Sequence, residues 1–134
     1  MKIKISATAF LSAILMSCTP APAAFAGDGI AGDWTGESIC TVRPPPCNDE
    51  HVICHLSEPD AGDNLKLRAD KLVNGKPEDM GTLDCTYEAK SSRLNCQMKN
   101  GVWDFAVAGK RMTGTLKLAD GTLCRRIAVT KSES

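Results

Sequence analysis

The chain has 134 residues, with 16 basic and 16 acidic side chains and a formal net charge of zero. This balance excludes the strongly basic surface that binds nucleic acids or anionic membranes. Seven cysteines in so short a chain point instead to a small domain held together by disulfides.

The first 26 residues have the features of a secretory signal peptide. Two lysines precede an apolar run over residues 5–16, and a small-x-small cleavage motif follows at residues 24–26. The sequence therefore predicts removal of residues 1–26 and export to the periplasm or the extracellular space. The remaining residues, 27–134, carry 14 basic and 16 acidic side chains and suit a single domain.

A second interpretation of the leader concerns Cys18. Residues 15–18, Leu-Met-Ser-Cys, resemble a lipoprotein processing box, in which the cysteine is acylated and anchors the protein to a membrane. Met suits the second position of that box poorly, so plain export is preferred. The apolar run is too short to cross a bilayer as a helix and no other candidate follows, so no transmembrane segment is predicted.

Three strands are predicted after the leader, at residues 32–42, 50–57 and 64–73. Apolar and polar residues alternate along them, which is typical of strands with one buried face. Prolines 44–46 end the first strand, because proline cannot donate a hydrogen bond to a sheet.

Five more strands are predicted within residues 76–130, joined by turns at residues 90–91, 100–101, 109–110 and 120–121. Asn-Gly and Asp-Gly are strong hairpin signals, because both central positions of the turn need positive φ. Each turn fixes a register in which apolar residues face apolar residues. The predicted pairs are Leu83–Met98, Cys85–Cys96, Tyr87–Leu94, Met98–Trp103, Cys96–Phe105, Leu94–Val107, Val107–Met112, Leu118–Leu123, Gly114–Ile127 and Met112–Val129.

The Asn-Gly turn at residues 74–75 is the exception. It would pair Leu65 with Asp84 and Leu67 with Thr82, which sets apolar residues against polar ones. One β-bulge would restore the register. We expect it at Gly81 or at residues 70–71.

Six cysteines remain once Cys18 is removed or acylated. Cys85 and Cys96 should lie directly opposite each other on neighbouring strands, so we predict a disulfide between them. The pairing of the other four stays open; they are Cys40, Cys47, Cys54 and Cys124.

Two arrangements of these four cysteines follow from the topology. A Cys40–Cys47 bond would close a short loop and leave Cys54 to pair with Cys124. Closure of the first strand onto the last would instead bring Cys40 towards Cys124.

Eight short sequential strands with tight turns predict an all-β fold, an antiparallel up-and-down meander that closes into a small barrel. Residues 32–34, Gly-Asp-Trp, resemble the Gly-x-Trp signature that opens lipocalin-like (calycin) barrels. Residues 28–36 and 112–122 also resemble small exported bacterial proteins of unassigned function. The lipocalin resemblance implies that Trp34 plugs the closed end with an Arg packed across it, and Arg125 is the nearest match.

Candidate catalytic chemistry is sparse. No nucleophile-base pattern, phosphate-binding loop or carboxylate pair stands out, so we predict a protein without enzymatic activity or cofactor. His51 and His55 lie about 13 Å apart along one strand and cannot share a metal ion, so they are interpreted as exposed residues and no metal site is predicted. The methionines suggest soft-metal chemistry, but core packing is the preferred interpretation; they are Met80, Met98 and Met112.

Two functions remain as hypotheses. The preferred one is an exported interaction or binding module whose stiff loop at residues 44–46 contacts an unknown envelope protein or cell-wall component. The alternative is a carrier of a small ligand, a lipid or a small apolar anion, bound in the barrel mouth. The predicted ligand-binding residues are Trp34, Trp103, Phe105 and Arg125. A filled interior favours the first hypothesis, and an open cavity that reaches Arg125 favours the second.

Overall fold

A computed structural model describes residues 29–42 and 47–133, so the predicted signal peptide, Cys18 and prolines 44–46 lie outside the described residues. These ranges form strands only, with no helix that could cross a membrane, and the predicted all-β class is confirmed. The eight strands are β1 (Gly32–Cys40), β2 (Glu50–Leu56), β3 (Asn64–Val73), β4 (Lys76–Glu88), β5 (Arg93–Met98), β6 (Gly101–Ala108), β7 (Arg111–Leu118) and β8 (Leu123–Lys131).

The strands form one closed antiparallel barrel in chain order, as predicted. Each strand pairs with the next, and β8 returns to pair with β1 from Trp34 opposite Lys131 to Cys40 opposite Arg125. The two backbones approach closely in this seam, because a Cβ added at Gly36 would lie 2.0 Å from the carbonyl oxygen of Ala128. Closure pairs both outer strands and leaves no open sheet edge in the described barrel.

The two ends of the barrel differ. At one end, here called the closed end, β1 begins and β8 ends; at the other, called the mouth end, β1 ends and β8 begins. Trp34 fills the closed end, where its side chain is fully buried. Its Nε1 donates a hydrogen bond of 2.9 Å to the carbonyl oxygen of Ile30. This is the position expected of a plug.

The cation packed against Trp34 is Lys131, and not Arg125. Lys131 Nζ lies 6.0 Å from the centroid of the indole ring, and the two residues face each other across the seam. Arg125 pairs with Cys40 at the mouth end. The expectation that Arg125 packs across Trp34 is therefore wrong, because the six residues from Arg125 to Lys131 span about 20 Å of strand.

The registers of two turns are as predicted. Cys85 lies opposite Cys96 and Tyr87 opposite Leu94, and the turn at Gly109 sets Val107 opposite Met112. The predicted Leu83–Met98 pair falls outside the register, which ends at Asp84 and Gln97.

The predicted register of the β5–β6 hairpin is wrong by two residues. Met98 pairs with Gly101, and the turn residues are Lys99 and Asn100. Gly101 belongs to the strand, where it is buried and where a Cβ would lie 2.6 Å from the carbonyl oxygen of Lys117. A shift of two residues keeps every side chain on its predicted face. The observed pairs are Cys96–Trp103 and Leu94–Phe105.

The β7–β8 hairpin combines a longer turn with a compensating bulge. Leu118 N–H donates to the carbonyl oxygen of Thr122 at 2.9 Å, so the loop has three residues and ends at Gly121 with φ of 88°. Lys117 therefore pairs with Leu123, and the predicted Leu118–Leu123 pair is wrong. Cys124 is the extra residue that restores the register. The predicted pairs beyond it are present, namely Gly114–Ile127 and Met112–Val129.

The bulge expected between β3 and β4 is confirmed. Ala69 pairs with Gly81 while Asp70 pairs with Asp79, so Met80 is the extra residue. Gly81 has φ of 111°, a conformation that glycine adopts without strain. The bulge lies at Gly81, one of the two predicted sites.

The structure contains two disulfides, Cys40–Cys47 and the predicted Cys85–Cys96. Cys54 and Cys124 are free, so neither Cys40–Cys124 nor Cys54–Cys124 forms. The reason is distance. Cys54 pairs with Trp34 on β1, whereas the carbonyl oxygen of Cys124 accepts a hydrogen bond from the N–H of Thr41, the residue after β1. Trp34 and Thr41 are about 23 Å apart along the extended chain. A disulfide needs Cα atoms within about 7 Å.

Candidate functional site

A cavity of about 230 Å³ occupies the mouth half of the barrel. Met80 and Met98 line it and are 42% and 41% exposed, so the cavity opens between them at the mouth end. Its other lining residues are Ser38, Glu50, Val52, Cys54, Leu67, Ala69, Gly81, Leu83, Trp103, Phe105, Leu116, Arg125 and Ile127.

Three of the four predicted ligand-binding residues line this cavity. Trp103, Phe105 and Arg125 lie in its wall, whereas Trp34 lies outside it, at the closed end. The prediction of Trp34 as a mouth residue is wrong, because β1 enters at the closed end and Trp34 is near its start.

The aromatic wall is ordered by stacking. The rings of Trp103 and Phe105 are 5.5 Å apart at their centroids and inclined by 14°. Gly114 on the neighbouring strand leaves the space that Phe105 fills, since a Cβ there would lie 2.5 Å from the ring. This surface can pack against a flat or short apolar group.

Arg125 is the central polar group of the mouth, and its charge is compensated. Its guanidinium donates to Ser38 Oγ at 3.1 Å and to the carbonyl oxygen of Asn48 at 2.9 Å. It also lies 3.8 Å from Glu50 Oε2. The cavity therefore has an apolar wall and one nearly neutral polar patch, and it holds no unpaired cation aimed at a ligand.

Cys54 adds a thiol to the cavity wall. It is buried, and desolvation raises the pKa of the thiol to about 12. The sulfur therefore stays protonated at neutral pH and is a poor nucleophile.

A polar network that the sequence did not reveal lies on the outer wall behind the cavity. His55 Nδ1 is 2.6 Å from Asp33 Oδ1, and its Nε2 is 2.8 Å from Asp70 Oδ2. Arg68 donates to Asp70 at 2.9 Å and lies 3.9 Å from Asp79. Burial of the imidazole opposes its charge, but the hydrogen bonds to Asp70 and Asp33 outweigh this effect and raise the pKa of His55.

The network could be found only with a register for β1, β2 and β3. Asp33 faces His55, and His55 faces Arg68, across neighbouring strands. The interpretation of His55 as an exposed residue is wrong, because its side chain is half-buried between Asp33 and Asp70. No tight turn joins these strands, so their pairing could not be derived from the sequence.

A wider groove of about 850 Å³ runs over the outer wall of β1, β6, β7 and β8. Threonines and small residues form its floor, and charges of both signs surround it. Neither an enclosed apolar surface nor a converging set of polar groups marks it as the more probable ligand site.

The chain matches no protein-family profile and none of the curated proteins with which it was compared. Across residues 29–42 and 47–133, no three His, Cys, Asp or Glu side chains are grouped so as to hold a metal ion. The mouth cavity is therefore the feature on which a functional hypothesis can be built.

Proposed function

We propose that this protein is an exported, non-enzymatic binding module that takes a small, largely apolar ligand into the mouth of its barrel. The observation that carries the proposal is the open cavity that reaches Arg125. The alternative function is contact between a partner and the loop at residues 44–46, which lies outside the described residues. The cavity therefore favours the ligand-binding hypothesis over the interaction-module hypothesis.

The size of the cavity limits the ligand. Cavities that hold drug-sized molecules have volumes of about 300–1,000 Å³, and an engineered cavity of about 150 Å³ binds benzene. A volume of about 230 Å³ suits one aromatic ring with a substituent, or a short alkyl chain. A lipid would keep most of its chain outside the barrel.

The polar patch favours a neutral ligand over an anion. Glu50 lies beside Arg125, so an anionic head group would meet a carboxylate as well as the guanidinium. A hydroxyl or amide could bond to this patch without breaking the ion pair. The expected ligand has a neutral polar end and an apolar body.

Two further parts of the proposal rest on the sequence. The two disulfides support export, because such bonds persist in oxidising compartments. The barrel topology and the buried Trp34 support the resemblance to lipocalin-like proteins, although the fold alone implies no ligand.

The test is a calorimetric titration with p-cresol, a neutral one-ring probe, and with hexanoate, an anionic one. Ala69→Phe places a ring in the cavity, whereas Ala106→Phe places the same ring over the outer groove. We expect wild type and Ala106→Phe to bind p-cresol at least tenfold more tightly than Ala69→Phe. Far-UV circular dichroism checks that both variants fold.

The opposite results are equally clear. Equal binding of p-cresol by Ala69→Phe and Ala106→Phe would place the ligand outside the barrel. Tighter binding of hexanoate than of p-cresol would show that Arg125 selects anions and that its pairing with Glu50 breaks on binding. Native mass spectrometry of protein recovered from its own envelope would then give the mass of the natural ligand.

A further inference from the structure

Three sulfur side chains line the mouth cavity together. They are the free thiol of Cys54 and the thioethers of Met80 and Met98. We infer that the mouth is a binding site for a soft monovalent metal ion of the Cu(I) class, held by these three sulfurs. This inference goes beyond the proposed function, since the ligand is an ion and the groups that bind it are different.

The two methionines do not behave as core residues. Met80 and Met98 are 42% and 41% exposed, although both line an apolar cavity, whereas Met112 is fully buried in the core. Met80 is the extra residue of the β3–β4 bulge, and bulges commonly redirect a side chain near a functional site. The preferred sequence interpretation of core packing therefore applies to Met112 only.

The register places the three sulfur-bearing residues around one cavity. Cys54 pairs with Ala69, and Ala69 pairs with Gly81, so the thiol lies two strand spacings, about 10 Å of backbone, from the bulge. Met98 lies on β5, the strand after the one that carries Met80. All three residues line the same cavity, and the three rotatable bonds of each methionine let its thioether turn towards the thiol.

Cys54 is available for a metal. Four of the six cysteines among the described residues form disulfides, and Cys124 is too far from Cys54 to pair with it. The thiol of Cys54 is buried in the barrel wall and makes no side-chain hydrogen bond in the described part of the chain. No other thiol lines the cavity.

The donor set selects the metal. Thiolate and thioether sulfur prefer soft ions such as Cu(I), whereas Ca²⁺ and Mg²⁺ need clustered oxygens. The one carboxylate in the cavity, Glu50, lies beside Arg125. A monovalent ion on a thiolate is also neutral overall, so an apolar cavity accommodates it at a lower cost than a divalent one.

Binding exchanges one proton for one metal ion. The Cys54 S–H bond breaks, the proton goes to solvent, and the thiolate forms the bond to Cu(I) while the two thioethers donate lone pairs. Because the thiol must lose its proton to bind the ion, apparent affinity should rise with pH.

The test is an anaerobic Cu(I) titration of the non-reduced protein against a competing chelator, bathocuproine disulfonate. We expect one ion per chain, a loss of at least 100-fold in affinity for Cys54→Ser, and a loss of at least tenfold for the double variant Met80→Leu, Met98→Leu. The matched controls, Cys124→Ser and Met112→Leu, should bind as wild type does. X-ray absorption should show sulfur neighbours only.

Three results would overturn the inference. Cys54→Ser could bind as tightly as wild type, or Cys124→Ser could lose the ion instead, which would assign binding to a surface thiol. The double methionine variant could bind Cu(I) as tightly as Met112→Leu does, which would show that the thioethers of Met80 and Met98 do not bind the ion. The p-cresol titration is independent of all three, so the two proposals can fail separately.

Discussion

Arg125 shows how one residue can serve the fold and the mouth at once. Its side chain is 16% exposed, and its bonds tie β8 to Ser38 on β1 and to Asn48 in the loop before β2. Glu50 compensates its charge, so the guanidinium is held in place before any ligand arrives. One of its acceptors is a backbone carbonyl oxygen at the barrel end, that of Asn48.

We expect Arg125→Leu to lower the free energy of unfolding by about 2 kcal/mol, because a mostly buried Glu50 and Ser38 lose their partner. Adding Glu50→Leu should recover part of the loss, since no charge is then left alone. Urea denaturation measures both. Arg126→Leu, on the exposed outer face, is the control and should stay within about 0.5 kcal/mol of wild type. A similarly small change for Arg125→Leu would mean that the residue is not structural.

His55 makes stability depend on pH. Its folded pKa is raised above 6.5, so the stabilisation it adds is fully present below that pH and is lost as pH rises through the folded pKa. The loss in free energy of unfolding caused by His55→Gln should therefore be larger at pH 6 than at pH 9. Urea denaturation at the two pH values is the measurement.

The matched control for this prediction is His51→Gln. His51 lies on the same strand, but its exposed side chain makes no hydrogen bond or ion pair in the described part of the chain, so its replacement should cost little at either pH. An equal loss for His55→Gln at pH 6 and pH 9 would show that folding does not raise the pKa of His55.

Two glycines hold the strands for different reasons. Gly36 has no room for a Cβ in the β1–β8 seam, whereas Gly81 has open space but a φ of 111°. We expect Gly81→Ala to cost about 1–3 kcal/mol of backbone strain. Gly36→Ala should cost more, because the clash is with the backbone of β8 and the seam must separate.

Gly29→Ala is the control for both, since it has open space and no positive φ. Urea denaturation measures the free energy of unfolding of the three variants. If Gly36→Ala were as stable as Gly29→Ala, the two strands would not be packed as closely as the seam indicates.

The strand faces could be predicted from the sequence, while the registers could be predicted only in part. A turn of two residues at Gly109 leaves one possible register, and the prediction there is confirmed. The register predicted from the Asn-Gly turn at residues 100–101 is wrong by two residues. A shift of two residues buries the same side chains, so the alternation of apolar and polar residues cannot detect it. The three-residue turn that ends at Gly121 could not be predicted, because the bulge at Cys124 restores the register that a two-residue turn would give.

The mouth could be predicted less well than the fold. Trp103, Phe105 and Arg125 were found because they lie on inward faces near turns at one end. The grouping of Cys54 with Met80 could not be found, since it depends on two successive pairings and a bulge. Sequence alternation gives the face of a residue but not its height in the barrel, and a site depends on both.

Closure of the barrel brings the two ends of the described range, near residues 29 and 133, together. Ser132 N–H donates to the carbonyl oxygen of Asp33 at 2.7 Å, and Lys131 Nζ donates to the carbonyl oxygen of Gly29. The molecule is thus a ring of eight strands in which the seam between β8 and β1 is paired like any other.

A circular permutant tests this description of the whole molecule. Residues 29 and 133 are joined by a short Gly-Ser linker, and new ends are opened in the exposed loop between Lys90 and Ser91. We expect cooperative thermal unfolding, with a midpoint lowered by less than about 10 °C, because no strand pairing is lost. Opening the chain inside β7, between Thr113 and Gly114, should abolish the transition. Failure of the loop permutant to fold would contradict the closed strand order.

The position of the mouth has a consequence for orientation. Both ends of the described chain leave from the closed end, while the cavity opens at the opposite end, beside Met80 and Met98. A tag, a solid support or a fused domain attached at either end would therefore leave the opening unobstructed.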